Sequence, residues 1–150
     1  MATLTLTIKE DLVLNGSQKG TTTVKEVTGV EYCYSRYYVI DNTEDTVLDF
    51  QADRSSGGAI EDTNLKYARF THTGSSNTID LRIQSTGDNK EFIIRLSAGD
   101  SYVMFFDSID AESDSSAIGG AFGSGSQIDV IKAVCSAADG ATLEVTAAHS

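Results

Sequence analysis

Leu65-Lys66-Tyr67-Ala68-Arg69-Phe70-Thr71-His72-Thr73 is followed by Ile79-Asp80-Leu81-Arg82-Ile83-Gln84, by Phe92-Ile93-Ile94-Arg95-Leu96-Ser97 and by Tyr102-Val103-Met104-Phe105-Phe106. In the two middle runs the side chains read as two alternating sets. Ile79, Leu81 and Ile83 lie opposite Asp80, Arg82 and Gln84. Phe92, Ile94 and Leu96 lie opposite Ile93, Arg95 and Ser97. A period of two is the signature of a half-buried β-strand. The breaks hold Thr73-Gly74-Ser75-Ser76-Asn77, Thr86-Gly87-Asp88-Asn89 and Ala98-Gly99-Asp100, all turn chemistry. Four strands joined by short polar links predict an antiparallel meander over Leu65–Phe106.

The same pattern extends to both ends of the chain. Leu4, Leu6 and Ile8 alternate with threonines in a strand over Thr3–Ile8. Lys9-Glu10-Asp11 interrupts it, Leu12-Val13-Leu14 resumes it, and Asn15-Gly16-Ser17 is a turn. Asn-Gly favours the positive φ of a type I′ hairpin. Further strands are predicted over Thr21–Val27, Val30–Ile40, Val47–Ala52, Ile128–Cys135 and Ala141–Ala147. Asp53–Asn64 reads as a polar loop, and 107–126 is the longest irregular segment. The chain has no proline and no convincing amphipathic helix. About nine or ten strands at short spacing predict an all-β antiparallel sandwich or jelly roll in one domain, 1–150, with a closed barrel as the alternative.

With 150 residues the chain can bury a core without covalent staples. The formal charge of −11 opposes binding to nucleic acid phosphates and to anionic lipid. Neither nucleic acid nor membrane is therefore expected as a partner. The first residues lack a basic and apolar leader pattern, which predicts synthesis and folding in a cytoplasm. Cys33 and Cys135 read as two buried free thiols.

No stretch carries a recognisable reaction centre. His72 is the one interior histidine, at a strand end, and no Gly-x-Ser-x-Gly elbow accompanies it. It reads as structural or solvent-facing. The acids sit mostly in turns beside Gly, Asn or Ser, as solvated charges do. Asp107, Asp110, Glu112 and Asp114 offer the least weak metal option, a calcium loop, but the pattern lacks the glycine and terminal glutamate of an EF-hand. The expectation is a solvated acidic loop, with no metal, no cofactor and no enzymatic activity. Gly119–Gly125 lacks the Gly-Lys-Ser/Thr of a phosphate loop. It reads instead as a loop carrying Ile118 and Phe122 as apolar anchors for a neighbouring subunit. Tyr32, Tyr34, Tyr37 and Tyr38 form a cluster that suits either core packing or a sugar- or protein-binding face. Arg36 within it suggests a bulge.

Three segments together resemble a known group. Thr5-Leu6-Thr7-Ile8-Lys9-Glu10 with Leu12-Val13-Leu14-Asn15-Gly16 resembles the opening of small virion proteins of marine tailed bacteriophages. Leu65-Lys66-Tyr67-Ala68-Arg69-Phe70-Thr71 followed by Ile79–Ile83 is similar to a central pair of strands there. Phe92-Ile93-Ile94-Arg95-Leu96-Ser97-Ala98-Gly99-Asp100-Ser101-Tyr102-Val103-Met104 resembles their strand-turn-strand. Thr71-His72-Thr73 departs from the Thr-Asn common in that group. The resemblance covers roughly two thirds of the chain and its motifs are structural. It implies a non-enzymatic virion part assembled in the bacterial host cytoplasm, foremost a capsid decoration (cement) protein. The expected partners are other virion chains such as the major capsid protein, and further copies of itself, a trimer among the options. The alternatives are a tail or head–tail junction component and a carbohydrate- or receptor-binding sandwich of a tail or fibre. A hydrolase with an unrecognised site is a poorer reading.

Overall fold

The computed structural model describes residues 1–51, 59–61, 65–85, 89–105, 119–122 and 127–150. The chain is all-β. Eight strands build two facing sheets. One sheet has the order β11 (Ser101–Phe105), β8 (Leu65–His72), β15 (Ala141–His149), β5 (Tyr32–Ile40). The other runs β10 (Lys90–Ser97), β9 (Thr78–Ser85), β14 (Val130–Cys135), β6 (Asp45–Gln51), with the short β7 (Ala59–Glu61) added parallel to β6. Pairing among the eight is antiparallel throughout.

Alternation sorts the side chains between core and surface. Ile79, Leu81 and Ile83 of β9 face inward beside Ile131, Ala133 and Cys135 of β14. Ala68, Phe70 and His72 of β8 and Leu143, Val145 and Ala147 of β15 close over them from the opposite sheet. Each buried Leu, Ile or Phe side chain contributes about 1.5–3 kcal/mol of hydrophobic stabilisation before entropy is counted. In β6 the alternation slips: Ile131 pairs Leu48 and Lys132 pairs Thr46, so Val47 is an extra residue. This bulge turns both Val47 and Leu48 inward.

The central strands form where expected, but they are not a meander. Only β9 and β10 are hairpin neighbours. β8 belongs to the other sheet and pairs with β11. The linkers explain this. Residues 73–77 and 98–100 are polar enough for tight turns, yet three residues already reach about 10 Å, the separation of packed sheets. Gly99, at φ 87°, lets the shorter linker arch across. The arch is held at its foot: His72 N–H donates to the Asp100 carbonyl and Gly99 N–H to the His72 carbonyl, each at 2.9 Å. The chain therefore changes sheet at both linkers.

The first thirty residues form a separate ribbon. β1 (Ala2–Lys9) pairs antiparallel with β4 (Thr22–Val30), and beyond them β2 (Val13–Leu14) pairs with β3 (Ser17–Gln18). The turn between β2 and β3 is the expected Asn15-Gly16, at φ 51° and 76°. Where the two pieces join, a Cβ on Gly20 would collide with the Glu10 carbonyl, so only glycine fits that crossing. Two short strands, β12 (Gly119–Phe122) and β13 (Gln127–Ile128), pair in parallel.

Candidate interaction site

The ribbon has a buried root and a solvated arm. At the root, Leu4, Leu6, Val27 and Val30 pack with Tyr67, Val103, Phe105 and Ala148, on the outer face of the β11-β8-β15-β5 sheet. Lys25 Nζ lies 4.6 Å from the Phe105 ring centre, a cation–π contact. From Thr7 to Val24 every residue except Gly20 is exposed. The arm nevertheless carries Ile8 (49 % exposed), Leu12 (53 %), Val13 (64 %), Leu14 (54 %) and Val24 (58 %). At about 3.4 Å per residue the arm can extend up to roughly 25 Å.

Next to the covered part of that outer face lies an open part. Register places Ser101, Thr71, Glu144 and Tyr37 in one row across the four strands. Val103, Arg69, Thr146 and Ser35 form the neighbouring row. Their side chains are linked. Arg69 Nη2 donates to Thr146 Oγ1 at 3.4 Å, Thr146 to Ser35 Oγ at 3.4 Å, and Ser35 to Glu144 Oε1 at 3.2 Å. Arg69 Nη2 also lies 3.1 Å from Glu144 Oε1. Arg69 Nε is buried with no acceptor among the described residues. At the β5 edge stand Tyr37, 69 % exposed, and Val39, 77 % exposed.

The outer face of the other sheet is ionic. Glu44 bridges Lys132 Nζ (2.8 Å) and Arg82 Nη1 (2.6 Å), and Arg82 Nη2 reaches Glu91 at 2.8 Å. Arg95 clamps Asp80 with two bonds of 2.7 and 2.8 Å. The hydrogen bond from Lys132, with Arg82 beside it, holds the Glu44 carboxyl below the usual carboxylate range. Arg95 does the same for Asp80. An open polar depression at the end of this sheet is lined by Gln84, Ser85, Asn89, Lys90, Glu91 and Lys132.

The tyrosine cluster divides between core and surface. Tyr34 and Tyr38 pack against the core. Tyr34 has a buried hydroxyl, and burial pushes its phenol up, helped by Tyr38 against Arg36. Tyr37 faces solvent, and Tyr32, half exposed, stacks on His149 at 5.1 Å. Arg36 marks no bulge: the β5–β15 register is continuous, and its guanidinium sits 5.3 Å from the Tyr34 ring. Cys135 is buried as expected, but Cys33 is exposed, because alternation puts it on the outer face opposite Ala148. Both thiols are free. His72 is fully buried. Its Nδ1 accepts the Gly74 N–H at 3.1 Å, and its Nε2 has no partner among the described residues. Ile118 and the acidic set Asp107, Asp110, Glu112 and Asp114 lie outside the described residues. For Phe122 the strand pairing with Ile128 is what is described.

Among the described residues no group of three or more His, Cys, Asp or Glu side chains is placed to hold a metal ion, and no helix is long and apolar enough to cross a membrane. The strongest sequence-missed feature is the solvated arm. Leu4, Leu6 and Ile8 keep one period from root to arm, so nothing in that pattern marks where burial ends. Comparison with protein-family models, with curated proteins and with solved structures returns no match.

Proposed function

We propose that the chain is a non-enzymatic structural protein of a tailed phage particle, foremost a capsid decoration protein, acting in the virion after assembly in the bacterial host cytoplasm. The observation that carries the reading is the arm: a two-stranded ribbon that leaves five large apolar side chains in water on an otherwise acidic body. A projecting ribbon with this many exposed apolar side chains fits a protein–protein contact. The resemblance of the opening residues to small phage virion proteins supports it from the sequence side. The strand order supports it at the level of analogy. Two sheets ordered β5-β15-β8-β11 and β6-β14-β9-β10 have the winding of an eight-stranded jelly roll, an architecture used by viral capsid and lectin domains. Mass spectrometry of gradient-purified particles tests it. The chain is expected in the particles at stoichiometric amounts, and finding it only in the free lysate fraction would end the reading.

A second reading has its own observation. Tyr37 is an exposed ring with Glu144 opposite it in register and Ser35 two residues away on the same face. An aromatic platform flanked by hydrogen-bonding groups suits a sugar, and would make the chain a receptor-binding part of a tail or fibre. Glycan-array binding lost in Tyr37→Ala would favour this reading over the first.

A further inference from the structure

We infer that the arm over residues 8–24 docks on a second copy of this chain, against the Tyr37 and Val39 strip at the β5 edge. The inference rests on the structural-protein reading and names one partner of its arm.

Three observations lead to a second copy. The first is charge. Lys9 and Lys19 cancel Glu10 and Asp11, so the arm is neutral within a chain of net −11. The arm thus adds no net repulsion when two acidic copies approach through it. On the acceptor side Glu144, opposite Tyr37 in register, is paired with Arg69 at 3.1 Å.

The second is precedent within the molecule. The root of this same ribbon already lies on the outer face of this same sheet, with Val27 and Val30 against Tyr67 and Ala148. Tyr37 and Val39 are on that face too, paired through β15 with Glu144 and Thr142. A neighbour's arm on the strip continues the contact that the root begins.

The third is the distribution of apolar surface. Among the described residues, the exposed large apolar side chains are those of the arm and the strip, apart from Met1, Tyr32 and the Phe92–Ile93 pair on β10. Arm and strip are different patches, so each copy gives one arm and receives one. Such exchange closes either as a reciprocal pair or as a ring. The strip also ends the sheet: β5 is an edge strand of nine residues whose outer side pairs with no described strand, open to backbone pairing with an incoming ribbon.

The test uses the full chain. Sedimentation equilibrium should find wild type assembled. Val13→Asp combined with Leu14→Asp should give a monomer, as should Val39→Asp, each with unchanged far-UV circular dichroism and melting temperature. Cross-linking then checks the pairing itself. In a Cys33→Ser background, a Val13→Cys chain mixed with a Val39→Cys chain should form the mixed disulfide in preference to either like pair. Monomeric wild type overturns the inference. So does an oligomer that survives both charged variants, or a cross-link that shows no preference for the mixed pair. An isolated chain that is monomeric yet present in particles would overturn the self-docking and leave the structural reading standing. Assembly through arm and strip in a protein absent from particles would do the reverse.

Discussion

His72 shows how a residue with catalytic chemistry is used as packing. Its ring fills the core end of β8, accepts one backbone N–H, and leaves Nε2 unmatched among the described residues. His72→Ala removes that volume and frees the Gly74 N–H. The expected loss is about 2–4 kcal/mol in unfolding free energy, read from urea denaturation midpoints. A change below about 0.5 kcal/mol, the usual size for a surface position, would mean that the ring is not part of the core. The sequence allowed a structural or solvent-facing place for His72, and strand alternation with Ala68 and Phe70 resolves this toward the core. Cys33 was misplaced because a cysteine in an aromatic run reads as buried. Its neighbours Tyr34 and Tyr38 claim the inner face, and alternation leaves Cys33 outside.

Elements carry two further predictions. The arm is exposed along its length apart from Gly20 and adds nothing to the buried core. Replacing residues 10–21 by a two-residue Asn-Gly turn should therefore leave the melting temperature within about 4 °C, which corresponds to roughly 1 kcal/mol in a domain of this size. Val27→Ala at the root should cost about 1–3 kcal/mol by loss of buried methyls. Equal effects from the two changes would contradict the division into root and arm. The ionic face predicts a pH dependence. Glu44 and Asp80 are held below their ordinary values by Lys132, Arg82 and Arg95, so each binds its proton more weakly folded than unfolded. The stability they add is complete above about pH 5, past their unfolded values, and is lost as pH falls through their lowered folded values. Glu44→Gln should make the decline in stability below about pH 5 shallower, measured as denaturation midpoint against pH; an unchanged slope would show that the bridge to Lys132 and Arg82 has no energetic weight. At this scale the Asn15-Gly16 hairpin and the β9–β10 pair were legible, because turn chemistry and alternation are local. The sheet changes at 73–77 and 98–100 were not, because a polar linker of that length serves a hairpin or an arch equally well.

For the whole molecule, the all-β sandwich follows from many short alternating strands with turn residues between them, and the structure bears it out. What the pattern could not supply is which alternating face meets water. Ile8 continues the period of Leu4 and Leu6 beyond the last point where the ribbon touches the sheet, while Val24, paired with Thr7, lies on the other face of the ribbon. The net charge of −11 sets how copies approach one another. Raising ionic strength from about 0.01 to 0.15 M shortens the screening length from about 30 to 8 Å, and should strengthen self-association measured by sedimentation; weakening would mean that ionic contacts, rather than the apolar arm, hold copies together. The most direct measurement of the proposed structural role is imaging of purified particles at a resolution that traces this chain. The account predicts the chain in the particle with residues 8–24 packed against a neighbouring subunit. A traced chain whose arm stands in solvent, or particles without the chain, would contradict it.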